Sequence, residues 1–466
     1  MYNPAEKQKL INWSLLPTVF ALAWPTMLEQ LMGTAVQYVD TAMVGSLGTA
    51  ATAAVGCTTT VNWLLGSTVS ALGVGFLAGI SQARGAGNLE KARRVAAQSV
   101  LTVLVAGLFF TALALGLSSR IPVWMQAAPS IRETASRYFF ILYTPMLFRA
   151  ATVIFGTVLR AAGDTRSPMR VGLGVNIVNV VLNFLLIYQT RTVNVFGRSL
   201  NIWGAGWGVT GAAAASAASI AFGGIAIGIV FFRHKETSPA GVSIRPEREI
   251  LIPCMRIAFP NMLQRFATSL GYVAFAAMIN SLGEISTAAH TIANTVESAF
   301  YVPGYGMMTA AATLTGNAIG ARDRQRLRDQ ARLIFFIEVS LMVLSGGLLF
   351  AFAPGMVGLF SANATVILLG STVLRMVACS EPFYGVSIVI EGMLMGAGKT
   401  VASFVFSVIG MWGVRIVGTF ICTQLLGLGL ISAWSCMISH NLLLFCMFLI
   451  YYRKGGWNPL TKNKPV

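Results

Sequence analysis

Residues 23–28 read AWPTML, and residues 258–263 read AFPNML, 235 positions further along the chain. The same offset relates other paired segments in the two halves. These pairs are Ala42-Met43 and Ala277-Met278, Ser46-Leu47-Gly48 and Ser281-Leu282-Gly283, Gly85-Ala86 and Gly320-Ala321, and Ala162-Gly163 and Ala397-Gly398. One register held over this length indicates duplication of a whole domain, because solenoid repeats recur about every 20–50 residues. In membrane chains such duplications build transporters, with the substrate site near the plane where the halves meet.

The composition is that of a membrane protein. The mean hydropathy is +0.71, and 11% of residues are charged, against about 25% in soluble domains. Long apolar runs, each near the roughly 20 residues that cross a bilayer, recur along the chain. Twelve are present, at about 15–44, 52–82, 95–117, 138–160, 168–188, 206–232, 251–280, 286–316, 331–353, 366–395, 402–424 and 428–452. Because a membrane span must satisfy its own backbone hydrogen bonds, we predict an all-α membrane protein.

The twelve spans divide into two lobes of six. We predict an N-lobe at 1–232 (spans 1–6), an inter-lobe linker at 233–250 and a C-lobe at 251–466 (spans 7–12). The linker is the longest polar connection, and a second long connection at about 189–205 has no counterpart of equal length in the second copy. An even number of spans per copy gives both lobes the same orientation in the membrane.

The net charge of +17 reflects topology. Of the 33 Lys and Arg residues, 24 fall on one side of the twelve-span plan: the N-terminus, the even-numbered loops and the C-terminal tail. This is the positive-inside bias, so we expect a multi-pass protein of a bacterial or archaeal inner membrane, with both termini and the linker cytoplasmic. The basic residues then meet anionic lipid, and no nucleic-acid partner is expected.

The chain lacks the motifs of soluble enzymes and of ATP-driven pumps. No phosphate-binding GxxxxGK[ST] segment is present, so ATP is not expected to be the direct energy source. The three histidines and six cysteines show no metal-ligand spacing. We therefore expect a transporter rather than an enzyme, without a cofactor, driven by an ion gradient.

Asp40 is the strongest candidate for a coupling residue, because ionisable groups inside spans are costly and mark functional sites. It lies fifteen residues after Pro25, a candidate hinge, since proline removes a helical hydrogen bond. Asn176, Asn179 and Asn183 on span five are spaced to share a helix face. The alternative interpretations are an interfacial, water-solvated acid and asparagines that only join helices.

The second lobe has its own intramembrane acids, Glu297, Glu381 and Glu391. Glu381 precedes Pro382, where a helix often bends. Arg265 and Arg415 could neutralise these acids, and structural ion pairs are the alternative interpretation. Glu29 and Glu338 have no evident partner in the sequence, which favours helix packing for both.

Several segments resemble the multidrug and toxic compound extrusion (MATE) family, in its prokaryotic NorM and DinF branches. They are VDTAMVGSLGTAATAAVG (39–56), LRAAGDTRSPM (159–169), NIVNVVLN (176–183), GVTGAAAAS (208–216), SLGEISTAAHTIA (281–293), GMLMGAGKT (392–400) and WGVRI (412–416). The resemblance covers nearly the whole chain.

The resemblance implies a V-shaped pair of lobes around a central cavity, exporting drugs in exchange for H⁺ or Na⁺. The family's N-lobe acid matches Asp40, its span-five amides match Asn179 and Asn183, and a span-six hydroxyl matches Ser216. Any sodium site in this lobe would use Asp40, Asn179 and Asn183.

The chain departs from the NorM pattern in the C-lobe. The span-seven glutamate of NorM-type members falls at Thr268, and their span-ten aspartate falls at Tyr384. A C-lobe sodium site of that type is therefore not expected. Glu381, three residues from Tyr384, could substitute for the missing acid.

These observations predict an ion-coupled antiporter that exports small organic compounds, cationic or amphipathic, from the bilayer-embedded cavity of a monomer. The alternative is a lipid-linked oligosaccharide flippase of the same superfamily. The cavity of such a flippase would contain several cationic side chains to bind a pyrophosphate group. In the first lobe, Arg149 is the one interior cationic side chain that the sequence indicates. A membrane receptor, the third class, would not need paired lobes.

Overall fold

The computed structural model describes residues 11–195 and 198–461, apart from the side chains of residue 60 and residues 193–200. A short 3₁₀ helix at Trp13–Leu15 precedes the first long helix. The described residues of the first half form eight α-helices. They are α1 (Leu16–Gly45), α2 (Thr49–Gly85), α3 (Leu89–Leu117), α4 (Ile121–Trp124), α5 (Pro129–Tyr143), α6 (Met146–Ala161), α7 (Arg166–Ile187) and α8 (Gly208–Arg233).

The second half repeats this plan with eight more helices. They are α9 (Arg248–Asn280), α10 (Glu284–Gly320), α11 (Arg324–Gly358), α12 (Ala364–Ala378), α13 (Glu381–Gly396), α14 (Thr400–Val408), α15 (Val417–Phe420) and α16 (Leu430–Lys454). A π-helical segment, Ile409–Ile416, joins α14 to α15, and a second, Ile421–Leu425, follows α15. Together they form one span, Thr400–Leu425. A 3₁₀ turn at Pro459–Thr461 follows α16.

A β-hairpin fills the long connection between α7 and α8. Its strands β1 (Gln189–Val195) and β2 (Arg198–Ala205) pair antiparallel. The Arg191 guanidinium lies over the rings of Phe184 and Tyr188, at 4.1 and 3.8 Å from their centroids. These cation–π contacts tie the hairpin to the end of α7. The sequence marked this connection as long but did not indicate strands.

Two spans are broken helices. α5 and α6 meet at an angle of 49°, and α12 and α13 meet at 54°. Pro145 precedes α6 directly, and Pro382 lies in the first turn of α13. Because proline cannot donate to the preceding turn, both prolines favour a new helix start. The bend predicted beside Glu381 is present, whereas the sequence did not indicate the bend before α6.

The helices account for the twelve predicted spans. Eight described helical segments are long and apolar enough to cross a membrane, and the two bent pairs bring the number to ten. α1 and α10 are 30 and 37 residues long, which is enough to cross a bilayer. With these two helices the chain has the predicted multi-pass plan of six spans in each half.

Helix α1 runs unbroken through Pro25. Pro25 has no N–H for the carbonyl of Ala21, and that carbonyl accepts a hydrogen bond from the Thr165 hydroxyl at 3.0 Å. In the second lobe, Thr400 occupies the position equivalent to Thr165 and donates to the Ile257 carbonyl at 2.7 Å. The duplicated threonines therefore make similar contacts, with the accepting carbonyl four residues before Pro25 in the first copy and three residues before Pro260 in the second.

The two lobes touch at one end of the molecule. Gly85 of α2 lies against the Asn317 carbonyl of α10, and Gly320 of α10 lies against the Gln82 carbonyl of α2. A Cβ on either glycine would overlap the opposite backbone. The Gln82 side chain also donates to the Gly396 carbonyl at 2.9 Å. We call this contact the closed end.

The segment that connects the lobes lies at the same end. Arg84 pairs with Glu236 at 2.8 Å, and Arg94 pairs with Glu247. The Gln98 side chain donates to the Arg245 carbonyl at 2.8 Å. These contacts hold residues 236–247 against α2 and α3, so the start of α9 is fixed beside the first lobe.

Candidate functional site

A cavity of about 920 Å³ lies between the lobes, and residues of both lobes line it. Among the described residues, five charged side chains reach its wall: Glu29, Asp40, Arg149, Arg160 and Arg265. Apolar side chains such as Val36, Leu77 and Trp63 make up much of the remaining wall. The cavity suits an organic molecule with both apolar and charged parts.

Asp40 sits in this wall, where α1 meets α7. The Asn183 amide donates to Asp40 Oδ1 at 2.6 Å. Asn183 is 1% exposed and Asn179 is 6% exposed, whereas Asp40 is half-buried. The structure thus brings together the acid and two of the three amides that the sequence singled out.

The Asn179 amide is oriented with its nitrogen towards Asp40, because the opposite orientation would place the amide oxygen against the carboxylate oxygens. Its nitrogen faces Asp40 Oδ1 and Oδ2 at 2.8 and 3.2 Å, and its oxygen accepts from the Ser216 hydroxyl at 3.3 Å. This arrangement suits an ionised carboxylate, which can only accept hydrogen bonds.

The remaining polar groups of this lobe lie around the same point. Ser216 contacts Asn179, as the resemblance implied. Ser219, one turn further along α8, lies 3.4 Å from the Asn179 amide. Its three-residue spacing from Ser216 could have indicated it. Asn176 lines the cavity, and no hydrogen bond between it and Asp40 is present in the described part of the chain.

Glu29 has a partner that the sequence did not reveal. Both of its carboxylate oxygens lie 2.7 Å from the same guanidinium nitrogen of Arg160 on α6. The sequence favoured helix packing for Glu29, and the structure adds an ion pair that joins α1 to α6. The expectation that Arg149 is the one interior cation of the first lobe was wrong, because Arg160 lines the cavity too. The sequence predicted a span that ends at about residue 160, and α6 ends at Ala161, so Arg160 lies in the last turn of the helix.

In the second lobe, Arg265 and Glu391 form a looser pair at 3.9 Å. Gln264, which is equivalent to Glu29 in the repeat, donates to Glu391 Oε1 at 3.0 Å and to Ser407 at 2.9 Å. In the first lobe the carboxylate, Glu29, lies on α1 and its arginine on α6. In the second lobe the order is inverted, because the arginine lies on α9 and the carboxylate, Glu391, lies on α13. Arg265 faces the cavity.

Three other glutamates are buried inside the second lobe, away from the cavity wall. Glu297, Glu338 and Glu381 are 6%, 0% and 1% exposed. Glu381 lies within electrostatic range of the other two, and both oxygens of Glu338 lack a hydrogen-bond partner in the described structure. Within the described ranges, no three acidic, histidine or cysteine side chains are arranged to hold a metal ion.

Arg415 does not form the ion pair that we considered from the sequence. Its guanidinium lies over the rings of Phe275 and Tyr272, at 4.1 and 4.9 Å from their centroids. No carboxylate approaches it within the ion-pair distance of 4.0 Å among the described residues. Glu297 is within its electrostatic range.

Thr268 and Tyr384 lie where the resemblance would require carboxylates. The Thr268 hydroxyl donates to the Gln264 carbonyl of its own helix at 2.7 Å. The Tyr384 hydroxyl lies 3.5 Å from that of Tyr305, and its ring packs edge-on against Tyr301. Tyr301, Tyr305 and Tyr384 form an aromatic cluster. Glu381 is 1% exposed and lies one turn before Tyr384 on α13.

Two pseudo-equivalent helical lobes, a cavity between them and a carboxylate in its wall define a multi-pass membrane transporter. The family model MatE matches residues 25–185 and 260–421, the same stretch of both copies. The chain belongs to the MatE family, as its motifs predicted.

Relatives with similar sequences match nearly the whole chain. The sequence is 26% identical over 456 residues to "Probable multidrug resistance protein NorM" of Thermotoga maritima, covering 98% of this chain and 95% of that protein. It is 24% identical to "Probable multidrug resistance protein YpnP" of Bacillus subtilis, covering 96% and 97%.

The fold is that of solved MATE transporters. The model superposes on an outward-facing multidrug resistance MATE family transporter of the MOP superfamily with a TM-score of 0.87, at 23% identity, covering 96% of each chain. A MOP superfamily transporter from Pyrococcus furiosus, whose structure is described as having a binding pocket of reversed polarity, gives a TM-score of 0.86, again at 23% identity and 96% coverage. The predicted class, an all-α membrane protein with two six-helix lobes, is confirmed.

Proposed function

We propose that this protein exports small organic compounds, cationic or amphipathic, in exchange for protons. The observation that carries the proposal is the Asp40 carboxylate in the wall of the inter-lobe cavity, hydrogen-bonded to Asn183 at 2.6 Å and flanked by Asn179. The names of the relatives, multidrug resistance proteins, support export of drugs. Sodium is the alternative coupling ion.

The mechanism that we propose is alternating access. With Asp40 ionised, the cavity holds a negative charge that binds a cationic group of the cargo. A proton from outside cancels that charge. The cargo then loses its counter-charge and leaves. Protonation can shift the equilibrium between the inward-open and outward-open arrangements only if Asp40 binds the proton more tightly in one of them.

Efflux from proteoliposomes tests this proposal. A fluorescent organic cation inside the vesicles should leave down an imposed pH gradient, with no sodium present. An imposed sodium gradient alone should give no export beyond the passive leak. Export driven by sodium and not by protons would replace the proton in this scheme.

The flippase alternative is weakened by the charges of the cavity. Three arginines line it, which a pyrophosphate cargo would require. However, Arg160 is held by Glu29 at 2.7 Å, and Arg265 lies 3.9 Å from Glu391. Two of the three cations are therefore compensated within the protein.

The orientation in the inner membrane is also a proposal. We expect the linker and both termini in the cytoplasm, because 24 of 33 basic residues then lie inside. In a cysteine-free variant, Ala240→Cys and Thr190→Cys provide two exposed probe positions, one in the linker and one in the hairpin. A membrane-impermeant thiol reagent added outside spheroplasts should label position 190 and spare position 240. The reverse pattern would invert the topology.

The buried second-lobe glutamates provide a separate test of the coupling site. Hard cations prefer carboxylate and carbonyl oxygens, but Thr268 and Tyr384 supply neutral hydroxyls that already have partners. We therefore expect Glu381→Gln to keep proton-driven export within about twofold at normal expression, and export to persist without sodium.

Glu133→Gln, an exposed acid on α5, is the matched control for Glu381→Gln. Efflux rates should be normalised to the amount of folded protein, since Glu381 is buried and its replacement could alter folding. Strict sodium dependence that disappears in Glu381→Gln while Asp40 is intact would place the coupling site in the second lobe.

A further inference from the structure

A pocket of about 550 Å³ lies at the closed end, and among the described residues it shares no lining residue with the inter-lobe cavity. The start of α9 forms one wall, which includes Arg248 and Arg256. Gln82 of α2 and the Ala397-Gly398 turn after α13 complete the lining. Because Gln82 belongs to the first lobe and the turn to the second, the pocket lies across the boundary between the lobes. We call it the arginine pocket.

The two arginines of this pocket are exposed and carry uncompensated charge. Among the described residues, no carboxylate lies within 4.0 Å of either guanidinium. The pocket contains one acid, Glu249, and that carboxylate lies within electrostatic range of Arg94 on α3. The pocket therefore presents two positive groups to a ligand.

Neither the helix nor the duplication explains these two arginines. Arg248 is the first residue of α9, and the helix dipole disfavours a cation at that position. The equivalent residues of the first copy, 235 positions earlier, are Trp13 and Ala21. The positive charge is thus a feature of the second copy alone, and an anion bound in the pocket would account for it.

An exposed apolar stripe of α9 begins between the arginines. Ile252 lies one turn from each of them and belongs to the pocket wall. The side chains that follow it at seven-residue intervals, Phe259, Phe266 and Val273, are also exposed. Seven residues are nearly two helical turns, so the four share one face of this membrane-spanning helix. None of the four lines the inter-lobe cavity, so the stripe faces lipid.

We propose that the arginine pocket binds the phosphate headgroup of an anionic phospholipid, and that the bound lipid holds the two lobes together at the closed end. The planar guanidinium groups of Arg248 and Arg256 match phosphate oxygens in geometry. An acyl chain would follow the stripe that starts at Ile252.

The position of the pocket explains why such a lipid would favour the closed arrangement. A ligand shifts an equilibrium only if it binds one state more tightly. The pocket takes its walls from both lobes, beside the hydrogen bond from Gln82 to the Gly396 carbonyl. Separation of the lobes at this end would remove one wall and weaken the binding of the lipid. The inference does not depend on the proposed export function, because lipid binding can be measured without transport.

Titration with a short-chain lipid tests the headgroup site. Dioctanoyl phosphatidylglycerol is added to the detergent-purified protein, and the rise of the thermal unfolding temperature gives the concentration for half-saturation. In Arg248→Gln/Arg256→Gln that concentration should rise about thirtyfold, because each basic side chain near an anionic lipid contributes roughly a factor of five. Arg248→Lys/Arg256→Lys keeps the charges and should recover part of the affinity.

A second pair of arginines provides the matched control. Arg324→Gln/Arg328→Gln removes two exposed arginines from the start of α11, at the same end of the molecule and outside the pocket. The half-saturating concentration should then change by less than about twofold, since general attraction between a basic surface and anionic lipid is spread over many residues. An equal loss in both double variants would show that the lipid has no specific site.

Other ligands identify the source of the phosphate. Inorganic phosphate and glycerol 3-phosphate carry the charge without acyl chains, and neither should stabilise the protein at concentrations where phosphatidylglycerol saturates it. Dioctanoyl phosphatidylcholine has the same chains with no net charge and should also bind more weakly. Ile252→Asn keeps both arginines and should weaken the binding of phosphatidylglycerol about fivefold, through the loss of apolar contact.

The effect on the lobes is measured in vesicles of phosphatidylcholine with and without phosphatidylglycerol. Spin labels on the first turns of α3 and α11, at positions 90 and 325, should show a larger short-distance population when phosphatidylglycerol is present. Arg248→Gln/Arg256→Gln should remove that difference. Unchanged lipid affinity in this variant, or equal stabilisation by inorganic phosphate, would overturn the lipid site. Specific binding with the same label distances in both kinds of vesicle would overturn the bridging of the lobes.

Discussion

Asp40→Asn should insert and fold normally yet abolish gradient-driven export. The substitution leaves an amide beside Asn183 and Asn179, and the three amides can satisfy one another by hydrogen bonds. It removes the ionised carboxylate of the cavity, so nothing distinguishes the state before proton uptake from the state after it. A pH difference of one unit supplies about 1.4 kcal/mol per proton and supports about a tenfold cargo gradient. In Asp40→Asn the steady-state ratio of cargo concentrations across the membrane should fall to about one.

The measurement is the steady-state cargo ratio across proteoliposome membranes at equal protein content, with Glu133→Gln as the control for loss of an acid. Full gradient-driven accumulation by a normally expressed Asp40→Asn protein would contradict the mechanism. Asn183→Asp gives an independent check. It places a second acid at hydrogen-bond distance from Asp40, and neighbouring carboxylates hold a shared proton more tightly. The pH optimum should move upward while activity persists.

The structure suggests why Pro25 could serve as a hinge in this cycle. On one side of it, Val19, Leu22 and Ala23 pack into a hydrophobic cluster with α10, α11 and α13 of the second lobe. On the other side, Asp40 is hydrogen-bonded to α7 of the first lobe. α1 is therefore held by both lobes, and a bend at the proline would let its two parts follow different lobes.

The elements that the sequence predicted correctly are those set by local pattern. Twelve apolar runs predicted the spans, since each run must close its own backbone hydrogen bonds. The i, i+4 spacing placed Asn179 and Asn183 on one face of α7. Pro382 indicated the break before α13. In each case the deciding residues lie within a few helical turns of one another.

What the sequence could not predict depends on which helix faces meet. Glu29 and Arg160 are 131 residues apart, and nothing in their local segments indicates that α1 and α6 face each other across the cavity. Glu338 resembles any intramembrane acid until packing buries it completely between α10, α11 and α13. Arg415 was paired with acids on charge alone, whereas the fold places aromatic rings beneath it.

The closed end between the lobes should open when either of its two glycines gains a side chain. Gly85 and Gly320 are equivalent positions of the repeat, and each lies against a carbonyl of the opposite helix, at Asn317 and Gln82. A methyl group at either position overlaps rigid backbone rather than a flexible side chain, so the lobes must separate. Overpacking of this kind costs about 1–3 kcal/mol, which shifts a two-state equilibrium by roughly 5- to 150-fold.

Gly85→Ala and Gly320→Ala should therefore populate the arrangement that is open at the linker end, and gradient-driven export should fall by roughly those factors. Spin labels at positions 90 and 325, on the first turns of α3 and α11, would report the separation of the lobes at this end. Gly347→Ala is the matched control, because a Cβ on this helical glycine meets no atom within 4 Å. The double variant should widen the label distance further, since the two overlaps lie on opposite helices of one interface. An unchanged distance distribution in both single variants would show that the contact between α2 and α10 yields without separating the lobes. The contact that keeps this end closed would then have to lie between α2 and α9.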